Sequence, residues 1–171
     1  METDRKFLKQ FIIRTLVLLT AVIAMVVIFD PFYQYHKPLP GLKAVLTDKE
    51  YQCIGTLRTF DYDALIVGSS VCENYNNHWF DTGFGCRTIK AIRSYGATAD
   101  LCYLLDRAFE EHDLKYVFYN IDPSSLSAST QPTYESTGCP MYLYDRNLFN
   151  DYPYLLNKDV IMEKLPYMLA Y

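Results

Sequence analysis

No Cys-x-x-Cys pair joins any of Cys53, Cys72, Cys86, Cys102 and Cys139, so the spacing of a zinc ribbon or a thioredoxin-type redox motif is missing. Five is an odd number, which leaves at least one thiol without an intramolecular partner, and no pairing is assigned; Cys86 and Cys102 are read as small buried hydrophobes. Clustered positive charge is missing too. After residue 29 the chain carries 12 basic against 18 acidic groups, a net −6. Nucleic-acid backbones need concentrated Lys and Arg, so nucleic acid is excluded as a partner. Seven Gly and eight Pro in 171 residues exclude collagen-like and low-complexity chains. With 50% hydrophobic and 21% charged residues, wholesale disorder is excluded as well. A length of 171 residues suits one domain, since domains run to roughly 100–200 residues.

What the chain does have is one long apolar run. Residues 11–29 (FIIRTLVLLTAVIAMVVIF) carry a single charge, Arg14, and about 20 apolar residues in a helix cross a hydrocarbon layer roughly 30 Å thick. Arg14 stands near the start, where its side chain reaches back to the headgroups. The run ends in bulky Val-Val-Ile-Phe-Asp-Pro, unlike the small residues at a signal-peptide cleavage site, so an uncleaved anchor is expected. Arg5, Lys6 and Lys9 precede it, which puts residues 1–10 in the cytoplasm and everything after Asp30 outside the cell membrane. Phe32, Tyr33, Tyr35 and His36 then fall where amphipathic rings favour the outer membrane interface.

Residues 30–60 are read as a stalk and lead-in, interrupted by Pro31, Pro38, Pro40 and Gly41. Residues 61–171 show an α/β rhythm. Ala64-Leu65-Ile66-Val67, residues 88–92 and residues 115–121 (KYVFYNI) read as strands. Between the last two, Leu101, Leu104, Leu105, Ala108 and Phe109 follow the stripe of a helix over 98–112, with Thr98 as its cap and Asp100 favouring its positive end. A short helix is expected within 72–80, and helical turns around 152–157 and 159–169. Strands alternating with helices across short connections imply parallel pairing. The fold class expected is therefore α/β: a transmembrane helix, then an incomplete three-layer, flavodoxin-like parallel sheet.

Ligands of parallel α/β sheets collect beyond the carboxyl ends of the strands. Three loops leave there: Gly68-Ser69-Ser70, Ser94-Tyr95-Gly96-Ala97 and Asp122-Pro123-Ser124-Ser125. A serine on such a turn presents its hydroxyl beside backbone N–H groups able to hold an oxyanion, and Gly96 lets backbone approach a bound group. Each also has a plain reading, as a turn with a helix cap or, for Asp122, a cap before Pro123. Gly68 lacks the companion glycines and lysine of a phosphate-binding loop. Cys72 lies beyond the turn apex and is set aside as a nucleophile.

The apolar anchor, Phe60-Asp61-Tyr62-Asp63 and Ala-Leu-Ile-Val-Gly-Ser-Ser-Val-Cys-Glu-Asn together resemble membrane-anchored SGNH/GDSL-like hydrolases, most closely the DltD-like envelope proteins of Firmicutes. That resemblance implies Ser70 as nucleophile and the Gly96 N–H as part of the oxyanion hole. The third block is represented by Tyr-Asn-Ile-Asp-Pro, where such enzymes carry Gly-x-Asn-Asp. Asn120, as an oxyanion donor, and Asp122 are its nearest equivalents. The fourth block, Asp-x-x-His, which supplies the base, does not occur; the histidines are His36, His78 and His112. A serine without a base is a weak nucleophile. The sequence is thus expected to be truncated and inactive alone, related to an extracytoplasmic esterase or O-acyltransferase acting on envelope polysaccharide with a partner acyl donor. No metal or organic cofactor is required. The alternative is a non-catalytic, membrane-tethered binding or assembly component, in which the 16 tyrosines serve packing more than sugar stacking.

Overall fold

The structure, a computed structural model, describes residues 2–45, 47–126, 131–134 and 138–170, with the side chains of Glu2, Thr3, Ser124 and Ser125 outside the description. The chain divides into two compact units. One comprises Met1–Pro31, Pro38–Val45 and Leu148–Tyr171; the other comprises Phe32–Lys37 and Leu46–Asn147.

The first unit is built on helix α1 (Glu2–Phe29). Its stretch Asp4–Phe29 is long and apolar enough to cross a membrane. Phe11, Leu16, Val17 and Leu18 are all exposed along it, whereas Val26 near its end is enclosed. The covering comes from the C-terminal segment, which forms the short helix Tyr152–Leu155, a π turn Val160–Lys164 and the helix Leu165–Leu169. The Tyr154 hydroxyl donates to the carboxylate of buried Asp30 at 3.0 Å. The helical turns expected from sequence around 152–157 and 159–169 are therefore present, and they belong with the apolar helix rather than with the sheet.

The second unit holds a parallel sheet of β1 (Ala64–Gly68), β2 (Thr88–Ile92) and β3 (Tyr116–Tyr119), in the order β2-β1-β3. Both pairings run in register from their starts, Ala64 opposite Thr88 and Ala64 opposite Tyr116. The central strand is the most apolar and is buried throughout, as a strand covered on both faces must be. Helix α4 (Thr98–Glu111) buries Leu101, Leu104 and Ala108. Phe109, expected in that stripe, is 56% exposed; it sits at the stripe's margin, where the narrow sheet no longer covers it. Helix α3 (Asn77–Phe84) sets Phe80 and Phe84 against Phe118, with ring centroids at 4.7 and 4.8 Å. Tyr119 bonds to Thr98 of α4 instead. Successive strand residues face opposite sides, so α3 and α4 flank opposite faces of the sheet.

Several details depart from the sequence expectation. The supposed stalk contains α2 (Lys49–Thr59), which buries Cys53, Ile54 and Leu57. Its prolines all lie before residue 41 and leave this stretch free to coil. Phe32 and Tyr33, expected at a membrane interface, are 2% exposed and pack on Tyr51 and Phe60 at 5.4 and 5.2 Å. Gly55 makes this possible: a Cβ there would collide with the Phe32 carbonyl oxygen and stand 2.8 Å from that of Tyr33. Thr98 begins α4 but does not cap it; the cap residue is Ala97, whose N–H donates to Asp100 at 2.8 Å. Cys102 is exposed, against its expected burial, because it faces away from the Leu101–Leu104 stripe; Cys86 is buried, and all five thiols are free.

Candidate functional site

Two backbone hydrogen bonds align the carboxyl ends of the strands. Arg93 N–H donates to the Gly68 carbonyl at 3.1 Å, and Asn120 N–H donates to that of Val67 at 2.9 Å. The three loops singled out from sequence therefore leave one edge of the sheet together. Of the third loop, Ser124 and Ser125 have side chains outside the described residues.

The turn after β1 separates its two serines. Ser69 accepts from the Val71 N–H at 3.3 Å and so caps the 3-10 turn Ser70–Asn74. Ser70 is exposed, and among the described residues its hydroxyl has no hydrogen bond. Behind the turn, Gly68 lets Cys72 and Asn120 close in: a Cβ on Gly68 would lie 2.5 Å from Cys72 Sγ and 2.7 Å from Asn120 Cβ. Asn120 accepts at its Oδ1 from the Tyr75 hydroxyl at 2.6 Å. Its Nδ2 is buried with no partner among the described residues. An amide donor left so costs roughly 1–3 kcal/mol relative to a satisfied one. Cys72 is fully enclosed, and burial, then the nearby Asp122 carboxylate, pushes its thiol up to about 11. It is a packing residue at neutral pH.

Gly96 is placed differently. It is buried, its N–H donates to the Arg93 carbonyl at 3.1 Å, and a Cβ there would stand 2.7 Å from Arg93 Cγ. An oxyanion would have to compete for that N–H. The residue before it, Tyr95, is 96% exposed with φ of 53°, in the left-handed region that side chains seldom occupy.

Residues that sequence reasoning passed over gather beside this edge. Arg93 is 3% exposed; its guanidinium contacts Glu50 at 3.3 Å and lies 4.8 Å from the Tyr134 ring centroid. A cavity of about 590 Å³ is lined by Asp48, Lys49, Glu50, Glu73 and Lys90, among others, but not by Ser70, Gly96, Asn120 or Asp122. Lys49 pairs with Glu73, and Lys90 donates to the Glu73 carbonyl at 2.8 Å. The one usable signal was an arginine directly after a strand; the acidic and basic lining comes from elements too far apart in sequence to read as a group.

No histidine bonds to Ser70 among the described residues. His36 contacts the Lys37 carbonyl, and His78 contacts Thr82 within α3. His112 packs tilted against Tyr62 with ring centroids at 4.2 Å, between the end of α4 and the start of β3, at the opposite edge of the sheet. No group of three or more His, Cys, Asp or Glu suited to a metal ion occurs among the described residues.

These features define the class: an α/β protein with a three-strand parallel sheet, an N-terminal apolar helix and an exposed serine at the sheet's carboxyl edge. Comparison with family models, with curated proteins and with solved structures finds no match.

Proposed function

We propose that the chain is a membrane-anchored SGNH-like esterase or O-acyltransferase, inactive without an added base, whose sheet unit lies outside the cell and is shaped for acyl esters of envelope polysaccharide. The observation that carries this reading is the exposed Ser70 hydroxyl on the turn after β1, with Asn120, whose buried Nδ2 has no partner among the described residues, packed against Gly68 of the same turn. Ser70 Oγ would attack the ester carbonyl carbon, and its proton would pass to a base. Negative charge would develop on the carbonyl oxygen, where preorganised donors such as the Asn120 amide have their largest effect. The alcohol then leaves with a proton, and water or a sugar hydroxyl takes the acyl group from Ser70. The basic residues ahead of the apolar run support the sidedness.

The proton needs a base that the described residues do not bring to Ser70. The test therefore supplies one. The full 171-residue chain is incubated with p-nitrophenyl acetate and imidazole, and acyl adducts are located by mass spectrometry. Acetylation at Ser70, absent in Ser70→Ala and reduced in Asn120→Ala, is expected. An adduct that ignores Ser70, or none at all, overturns the reading.

One observation favours the non-catalytic alternative, a membrane-tethered binding component: the Gly96 N–H is already engaged by Arg93. In that case Ser70→Ala would leave binding of an envelope polysaccharide unchanged while removing no activity.

A further inference from the structure

The C-terminal segment covers the last turns of α1 but leaves its own apolar side chains uncovered. Leu148, Phe149, Tyr152, Met162, Tyr167 and Leu169 are between 44% and 95% exposed. Water is a poor solvent for so many neighbouring apolar groups. The position of the segment identifies the better one. The apolar run 11–29 has 19 residues, about 28 Å of helix, close to the roughly 30 Å hydrocarbon layer. The segment 148–170 packs on the carboxyl end of that run, around Val26 and Asp30. Whatever touches those turns shares their depth.

We propose that residues 148–170 form a collar half-submerged in the bilayer leaflet from which α1 emerges, with phospholipid as its partner. The proposal rests on the reading of α1 as a membrane span. Tyr152 and Tyr167 would sit at the headgroup level, where amphipathic rings are favoured. Lys43, 4.1 Å from the Tyr167 ring centroid, and exposed Lys158 supply cations for lipid phosphates. Phe149 and Met162 would reach the upper acyl chains, within the roughly 5–10 Å depth typical of interfacial helices. This is the interfacial role expected from sequence for Phe32 and Tyr33, which the structure encloses in the sheet unit.

The native Trp79 is the only tryptophan, so two single-tryptophan chains can be made: Trp79→Phe with Phe149→Trp, and Trp79→Phe with Met162→Trp. Each full-length chain is placed in phosphatidylcholine–phosphatidylglycerol vesicles carrying a spin label near the headgroup or deep in the acyl chain. Both tryptophans are expected to emit bluer light than in detergent-free unfolded chain, to be quenched several-fold more by the shallow than by the deep label, and to resist aqueous iodide. Chain that resists carbonate extraction while both tryptophans respond to iodide and ignore the lipid label overturns the collar and leaves the span standing. Protection from both quenchers means that protein covers the segment, and also overturns it. Release by carbonate removes the span itself, and the collar with it.

Discussion

The two units treat the same kinds of side chain in opposite ways. In the sheet unit Leu65, Ile66 and Val67 are wholly enclosed, and the large rings of Phe32, Tyr33 and Tyr144 are enclosed with them. In the helix unit Leu18 is 67% and Phe149 95% exposed, and what is enclosed there includes the carboxylate of Asp30. Burying apolar surface from water gains about 25 cal/mol per Å², so a unit that turns its apolar groups outward is not organised against water. The sheet unit has an extensive core; the helix unit encloses Val26, Tyr154, Val160, Leu165 and Met168 around the end of α1 and leaves an apolar coat along the rest of that helix.

The sharpest way to break that comparison is to shorten one leucine in each. Leu65→Ala empties space in the central strand and should lower stability by about 2–5 kcal/mol, read from urea unfolding followed by Trp79 fluorescence. Leu18→Ala should leave the same transition within experimental scatter. Leu18→Arg should also leave it, yet reduce membrane insertion, with a cost of about 2.5–3.5 kcal/mol for a charge at the middle of a span. Equal losses for Leu65→Ala and Leu18→Ala would show that α1 is a core helix.

The next effect is confined to the sheet unit. Gly55→Ala forces a methyl group against the carbonyls of Phe32 and Tyr33 and should cost about 1–3 kcal/mol. Gly83 lies in α3, and a methyl group there would meet nothing within 4 Å; Gly83→Ala should be neutral or stabilising by up to about 1 kcal/mol. The ordering of the two by thermal melting tests whether the 32–34 stretch belongs to the core.

A smaller, chemical effect separates inside from outside within the same unit. Cys102 is exposed, whereas burial raises the Cys53 thiol to about 12 and the Cys72 thiol to about 11. Iodoacetamide reacts with thiolate, so at about pH 8 Cys102 should be alkylated first, and Cys53 and Cys72 only after unfolding. Peptide mapping after short exposure checks this; early modification of Cys72 would contradict the packed turn behind Ser70.

β1 was legible as a short apolar run, β3 as a run of β-branched and aromatic residues and β2 as a weaker extended run, and α4 because Leu101, Leu104 and Ala108 recur at helical spacing. Helix α2 was not, since its burial depends on Gly55 meeting two carbonyls from residues 32 and 33, a close approach that leaves no periodic trace. Phe32 and Tyr33 show the same limit from the other side: ring type says that a residue is amphipathic, and tertiary contacts choose the surface it meets. In the candidate site, the strand-end rule located the turn holding Ser70, and Asn120 came from the resemblance of Tyr-Asn-Ile-Asp-Pro to the third block. Which serine caps depends on the local geometry of the turn, and the Tyr75–Asn120 hydrogen bond on a distance between loops. Asp100 is a further case. Its place in the first turn of α4 was readable as a role at that helix end, but it also accepts from the Thr133 N–H at 2.6 Å and the Thr133 hydroxyl at 2.7 Å, a tie across 33 positions.

The smallest expected effect is a titration at the amino edge of the sheet. Asp63 joins the starts of all three strands: its carboxylate accepts from the Arg87 N–H at 2.6 Å and from Lys115 Nζ at 2.8 Å, and its carbonyl from the Lys115 N–H at 2.7 Å. The Lys115 ammonium, then the Arg87 N–H, hold the Asp63 carboxyl below its ordinary value, and Asp63 holds Lys115 above its own. A depressed carboxyl stabilises fully above its unfolded value, near pH ~3.9, and loses that contribution as pH falls through the lower folded value. A raised lysine stabilises fully below about pH 10.4 and loses its contribution as pH rises through the higher folded value. The clasp is therefore intact between those limits. Asp63→Asn should lower the urea midpoint slightly at about pH 7, and the difference should close as pH falls through the lowered folded value, because below it the charge it removes is already neutralised. Exposed ion pairs are screened, so about 1 M salt should shrink the difference seen at neutral pH. Attachment of α1 to vesicles should be the same in Asp63→Asn and the parent chain, since Asp63 belongs to the sheet unit. An acid limb identical in Asp63→Asn and the parent chain would show that the strand starts are held by backbone bonds alone.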